Sequence, residues 1–269
     1  MRKLLYIIIC ASAAISMNAQ TLTIIHFNDT HSNIDPLRAG DYKGMGGVIE
    51  QAAYIDSVRK ADGKRNVLLL NAGDFSQGTS YFPELNGDIE IDVFNAADYD
   101  AVAIGNHEFD NGLAELARRL KNLKAPALCA NYDFTGTPLE GLTDPYTIVR
   151  KAGKKIGIIG LLPDISVVVA ADLVRGLEFI DPAEVVNKYA DYLKNRKKCD
   201  LVICLSHLGY VEDKQLASMT RNVDLIVGGH SHTLLHKIQY VNDLDGKDVK
   251  IVQDWHWGLK VGNMKVKWD

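Results

Sequence analysis

The stretch Asp181-Pro182-Ala183-Glu184-Val185-Val186-Asn187-Lys188-Tyr189-Ala190-Asp191-Tyr192-Leu193, with Leu201-Val202-Ile203-Cys204-Leu205-Ser206-His207 close behind it, decides the fold class of this 269-residue chain. Asp181 can accept from the free N–H groups of a first helical turn, Pro182 fits that turn, and Glu184 can reach back. Val185, Tyr189 and Leu193 then share one helical face. Leu201–Leu205 is a short unbroken apolar run, the pattern of a strand buried on both faces. A helix that feeds such a strand belongs to a strand–helix–strand unit. The chain is therefore expected to be α/β, with a largely parallel sheet and right-handed crossovers.

The run at 201–205 ends in Ser206-His207, and four others end in the same manner. Thr21–Phe27 runs into Asn28-Asp29-Thr30-His31, and Val67–Asn71 into Ala72-Gly73-Asp74. Ala101–Ile104 runs into Gly105-Asn106-His107-Glu108, and Leu225–Val227 into Gly228-Gly229-His230-Ser231-His232. Carboxyl ends of parallel strands share one edge of a sheet. The five endings are thus expected to gather two aspartates, an asparagine and several histidines in one site. Gly47–Lys60, Ile89–Ala97 and the segment carrying Leu113, Leu116, Ala117 and Leu120 read as helices between them. Tyr146–Val149 with Lys155–Leu161, and Lys237–Val241 with Val249–Val252, read as hairpins. A TIM barrel also collects functional residues at carboxyl strand ends, but two hairpins do not suit a regular barrel. The last residues alternate as strands, with Gly258 and Gly262 as bulge points.

Composition, 47% hydrophobic and 24% charged, is that of an ordinary globular protein. The first residues differ. Arg2 and Lys3 precede the apolar segment Leu4–Ala14, and small or polar residues lead to Ala19. This reads as a secretory signal over residues 1–19, too short to span a membrane. Residues 20–269 would then be the mature domain, exported to the periplasm or outside the cell, with no transmembrane helix. Losing Arg2 and Lys3 and no acid takes the formal charge from −4 to −6. With no basic run, nucleic-acid polymers are excluded as partners. Cys129, Cys199 and Cys204 remain, an odd number without metal-site spacing.

The clustered residues suit a dinuclear centre. Two divalent cations about 3.5–4 Å apart repel each other, so a bridging carboxylate between them is valuable. Imidazole and amide oxygen complete the shells without excess negative charge. Asp29, His31, Asp74, Asn106, His207, His230 and His232 provide such a set. In an extended segment Asp29 and His31, two apart, would point the same way. His230 and His232 share that spacing, but the Gly228-Gly229 turn can aim them differently. The mixed nitrogen and oxygen shell admits zinc, manganese and several other divalent metals.

Phe27-Asn28-Asp29-Thr30-His31, Gly73-Asp74, Gly105-Asn106-His107-Glu108-Phe109-Asp110, Ser206-His207-Leu208-Gly209 and Gly229-His230-Ser231-His232 resemble, in this order, the calcineurin-like metallophosphoesterases. More narrowly, the chain looks like the amino-terminal catalytic domain of secreted 5′-nucleotidases and UDP-sugar hydrolases. The resemblance implies a four-layer αββα sandwich of two mixed sheets flanked by helices. It implies that Asp29, His31 and His232 hold one metal, that Asn106, His207 and His230 hold the second, and that Asp74 bridges them. His107 would be the catalytic histidine outside the ligand set, oriented by Asp110. The implied reaction is in-line attack of a metal-bound hydroxide on a nucleotide phosphate. Cleavage of cyclic nucleotides or nucleotide-diphosphate sugars is the related alternative. Such enzymes usually carry a second domain that grips the base, so a separate carboxyl-terminal-domain chain is an expected partner. The chain could alternatively be a metal-bound binding subunit that needs that partner for activity.

Several neighbours carry a second reading. Asn106 could serve the turn before His107, and Asp110 could cap the helix near 112–123. Glu108 belongs to the motif without an assigned task. His26 reads as a core residue, and His236 and His256 as surface or packing residues. Trp255 and Trp257 read either as cleft lining or as part of a packed final strand.

Overall fold

The apolar runs form two stacked sheets in a computed structural model of the chain, which describes residues Gln20–Trp268. The expected leader at 1–19 lies outside the described residues. Strands are numbered in chain order. The first sheet has the order β13-β1-β2-β3-β4. It comprises β1 (Gln20–Phe27), β2 (Val67–Asn71), β3 (Ala101–Ala103), β4 (Ala127–Leu128) and β13 (Gly262–Trp268). Only β13 is antiparallel in it. The second sheet has the order β11-β12-β10-β9-β7-β6. Its strands are β6 (Tyr146–Lys151), β7 (Lys154–Leu161), β9 (Leu201–Ser206), β10 (Leu225–Val227), β11 (Gln239–Asn242) and β12 (Asp248–Val252). The expected hairpins are its two antiparallel edges, and β7, β9, β10 and β12 run parallel between them. A short ladder joins β5 (Tyr132–Asp133) to β8 (Glu178–Phe179).

Alternation along each strand sorts the side chains into layers. Leu22, Ile24, Leu68 and Leu70 point inward from the first sheet and meet Ile156, Ile158, Ile203 and Leu205 from the second. The opposite face of the first sheet, with Ile25, Phe27 and Leu69, packs on Ile55 of α1 (Val48–Asp62) and on Ile91 and Phe94 of α3 (Asp88–Ala97). The opposite face of the second carries Val202, Cys204 and Ile226. It packs on Val185 and Val186 of α5 (Pro182–Asp191) and on Leu216 and Ala217 of α6 (Tyr210–Ser218). Helix α4 (Gly112–Leu120) closes a further cluster around Phe109, and the short α2 (Tyr81–Leu85) precedes α3. The result is a four-layer αββα sandwich. Two sheets with free edges leave no closed barrel.

Helix α5 begins as its spelling predicts, with the Asp181 carboxylate accepting from the Ala183 N–H at 2.7 Å. Past Asp191 it widens into an i→i+5 turn, and the Lys197 N–H reaches the Tyr192 carbonyl at 2.9 Å. Two details differ from expectation. Trp255–Trp257 belong to no strand, because β12 stops at Val252 and β13 starts at Gly262. Asp110 does not cap α4, whose start has Asn111 at the capping position and no side-chain cap. Cys129, Cys199 and Cys204 are buried free thiols. No helix among the described residues is long and apolar enough to cross a membrane.

Candidate metal centre

The parallel strands β1, β2, β3, β9 and β10 deliver their carboxyl ends to one place, where the backbone is bent in an uncommon way. Asp29 (φ 51°), His31 (46°), Asp74 (52°), His230 (69°) and His232 (48°) all occupy the left-handed region. Asp29 and His31 are therefore not extended, and they converge through successive tight bends. Such residues cost on the order of 1–3 kcal/mol each and persist where the surroundings over-determine them. Here the strand-end loops bond one another. The Asp29 N–H donates to the Gly73 carbonyl at 2.9 Å, the His31 N–H to Asp74 at 3.0 Å, and the Ser32 N–H to Phe75 at 2.9 Å. The His230 N–H donates to the Asp29 carboxylate at 3.0 Å. Gly73, at φ 90°, permits the approach, since a Cβ there would lie 2.8 Å from both the Gly105 nitrogen and His207 Nδ1.

The candidate ligands fall into two groups, Asp29–His31–His232 and Asp74–His207–His230, and Asp74 also groups with His31 and His107 between them. Asp29 Oδ1 lies 3.4 Å from His232 Nε2 and 3.9 Å from His31 Nε2. The His31 and His232 Nε2 atoms are 3.0 Å apart. In the second group Asp74 Oδ2 lies 3.0 Å from His207 Nε2, and His230 completes the triad. Asp74 Oδ2 is also 4.0 Å from His31 Nε2, between the groups. Within each triad the ligand atoms all lie within 4.8 Å of one another.

The donor chemistry fits divalent cations. Asn106 Oδ1 is buried without a hydrogen-bond partner, a costly state for a polar atom in a protein interior, and buried His207 Nε2 faces the Asp74 carboxylate. His207 Nδ1 donates to the Ala72 carbonyl at 2.6 Å, which leaves Nε2 as the lone-pair nitrogen. Burial opposes a charged His207, but Asp74 beside it outweighs that and pushes its pKa up to about 10. A cation held between the two would take the place of that proton. Burial also opposes ionisation of Asp74, yet His207, then His31 and His107, hold its carboxyl well below the usual range. Burial lowers the pKa of His31 and His230, favouring the neutral imidazole that a metal requires.

His107 stands beside this set. Its Nδ1 donates to Asp110 Oδ2 at 2.8 Å, and that bond raises its pKa. Its backbone N–H donates to Asp74 Oδ1 at 2.9 Å, tying the histidine to the shared carboxylate. His31, Asp74, Asn106, His107, His230 and His232 line one cleft of about 600 Å³. A larger depression of about 740 Å³ lies among Asp62, Gly153, Lys265 and Lys267, at the amino-terminal strand edge. It contains none of the ligand triads, so the smaller cleft is the chemical one.

Three supports were not legible as such. Glu108 is fully buried and accepts four backbone N–H groups, from Asp74, Phe75, Ser76 and Gly105, at 2.6–3.0 Å. Arg119, also buried, donates to the Glu108 carbonyl and to Ser76 Oγ, both at 2.6 Å. The third support is a sixth strand end. Strand β12 runs parallel to β10 and delivers Gln253–Trp257 to the same edge. Asn28 accepts from the Asp254 N–H at 3.1 Å and donates to the Trp255 carbonyl at 2.6 Å. His256, expected at the surface or in packing, has its ring 4.8 Å from that of His232. Trp257 lines the cleft. The strand-end pattern applied to Val249–Val252 would have flagged this loop. His26 is buried, 3.6 Å from Asp254.

Fold and site together define an α/β sandwich with a histidine–carboxylate centre at its strand ends. The chain belongs to the calcineurin-like phosphoesterase family, whose pattern it matches over residues 22–234. It is 36% identical to a snake venom 5′-nucleotidase from Naja atra, over 92% of this chain and 50% of that protein. A 5′-nucleotidase precursor from Thermus thermophilus superposes with a TM-score of 0.84 at 38% identity, over 93% of this chain and 52% of that one. The NAD nucleotidase of Haemophilus influenzae gives 0.83 at 29% identity, over 93% and 48%. The chain spans about half the length of the curated relatives it matches.

Proposed function

We propose that residues 20–269 form the catalytic domain of an exported, dinuclear-metal phosphomonoesterase of the 5′-nucleotidase type. The observation that carries this reading is the pair of triads, Asp29–His31–His232 and Asp74–His207–His230, with Asp74 4.0 Å from His31 between them and His107 held by Asp110 in the same cleft. Asp29, His31 and His232 would hold one divalent ion, and Asn106, His207 and His230 the other, with Asp74 shared. The ions, zinc or manganese, would supply an activated water and positive charge for the phosphoryl group. His107, with Nδ1 engaged by Asp110, presents its other ring nitrogen to the cleft. From there it donates to a phosphoryl oxygen or protonates the leaving alcohol. Asp110 favours the charged imidazolium that this requires. Glu108 and Arg119 keep the Asp74 and Asn106 loops in register. Export rests on the leader-like spelling of residues 1–19.

Nucleotides are the proposed substrates because the similar proteins are named nucleotidases. The test is phosphate release from a panel of nucleoside monophosphates, NAD and nucleotide-diphosphate sugars by metal-reconstituted protein, with and without a candidate second-domain chain. Asp74→Asn is expected to abolish turnover and reduce bound metal. His107→Asn is expected to keep its metal and lose about 10²–10⁴ in kcat. Full activity in the Asp74→Asn protein would sink the assignment. Preference for NAD or nucleotide-diphosphate sugars over monophosphates would shift the reaction to the phosphoanhydride. A chain inert alone and active only with the second domain would favour the binding-subunit reading.

A further inference from the structure

The cleft has apolar lining that the metal chemistry does not use. Trp257 and Leu37 are the large apolar side chains among its lining residues. Trp257 is 38% exposed, so burial does not account for it. Its place is nevertheless tightly set. The Trp257 backbone has φ 58°, and its N–H donates to the Asp29 carbonyl at 2.7 Å. The ring of His256 lies 4.4 Å away, edge to face. Leu37 comes from a different loop, a strap closed by backbone bonds from the Leu37 N–H to Met45 at 2.9 Å and from the Gly44 N–H to Leu37 at 2.7 Å. That strap abuts the Trp257 backbone at Gly46, where a Cβ would lie 3.2 Å from the Trp257 carbonyl oxygen. A half-exposed indole, held on strained backbone one hydrogen bond from a candidate metal ligand, is a surface kept for a ligand.

We propose that Trp257, with Leu37 lining the same cleft, is a stacking platform for a planar ring on the alcohol side of the phosphoester. A nucleoside monophosphate and an aryl phosphate both carry such a ring. The inference rests on the phosphomonoesterase reading and gives the chain its own selectivity for ringed esters. Sequence-tolerant stacking on one aromatic side chain corresponds to roughly 5- to 100-fold in affinity.

The test compares AMP and 4-nitrophenyl phosphate with ribose 5-phosphate and glycerol phosphate. Trp257→Ala is expected to raise KM for the ringed esters by about 10-fold, with far smaller changes for the ringless pair. Trp257→Phe restores most of the difference, and Leu37→Ala raises the same KM values by a smaller factor. Loss confined to AMP or to the aryl ester still supports the platform and identifies which ring it seats. Equal loss on ringed and ringless esters overturns it. A second readout needs no turnover: adenosine, which has the ring and no phosphate, is expected to quench tryptophan emission saturably in the wild type and not in Trp257→Ala. Absence of quenching in the wild type overturns the platform. Failure to hydrolyse any ester overturns the phosphomonoesterase reading and leaves quenching to judge the platform.

Discussion

Glu108 concentrates much of the site's geometry in one side chain. Its two oxygens accept four backbone N–H groups from the loops that carry Asp74 and Asn106. In Glu108→Gln one oxygen remains an acceptor, and the amide nitrogen faces two N–H donors it cannot satisfy. The variant is expected to lose about 2–4 kcal/mol of stability in urea denaturation, together with part of its bound metal. Wild-type stability and metal content would refute the clamp. At this scale the sequence was legible in kind and less so in posture. Asp29, His31, Asp74, Asn106, His207, His230 and His232 declared themselves by residue type at strand ends, and the structure brings all seven together. The left-handed backbone of five of them did not, because non-glycine residues seldom adopt it and nothing local in Asn28-Asp29-Thr30-His31 demands it. Neighbouring loops impose it. Trp257 was ambiguous for the same reason, since a half-exposed indole and a packed one are spelled alike.

Elements bring in a second buried carboxylate, with a different fate. Asp213 of α6 is fully buried, accepts from Ser206 Oγ at 2.6 Å at the end of β9, and leaves its other oxygen unpaired. Burial pushes its pKa up to about 8; Ser206 and His207 oppose the rise, and Glu212 adds to it. The folded protein thus keeps a proton that the unfolded chain releases near pH 4. Stability from this group is complete below that pH and is lost as pH rises toward 8. Asp213→Asn removes the dependence. Urea midpoints of wild type and variant are expected to diverge between pH 5 and 8 in favour of the variant, by on the order of 1 kcal/mol per pH unit at most. Parallel curves would show that Asp213 is ionised in the fold. Strands and helices were readable here because their signals are local, as Asp181-Pro182 and the 3.6-residue spacing show. The sixth strand end was missed because Val249–Val252 read as half of a hairpin. Its parallel pairing with β10 is a tertiary fact.

For the whole molecule, the two sheets matter as partners. Asp29, Asp74 and Asn106 follow strands of the first sheet, whereas His207, His230 and His232 follow strands of the second. Bound cations would staple the sheets together and stabilise the fold by about 2.7 kcal/mol at a hundredfold excess over Kd. Chelation is expected to lower the melting temperature, and zinc or manganese to restore it. A melting temperature indifferent to chelator would count against cations across the sheets. The sandwich was legible only through resemblance, because parallel strands and hairpins alone also suit other α/β architectures. The centre joins both ends of the described chain as well. Asn28 accepts from Asp254, 226 positions away, and Asp29 from Trp257. A ribosome builds the amino end first. The earliest strand must therefore wait with its candidate ligands unassembled until the last loop has been translated. A copy that stops short of residue 257 would lack the loop that braces Asn28 and Asp29, so the first-made corner of the centre depends on the last-made part of the described chain.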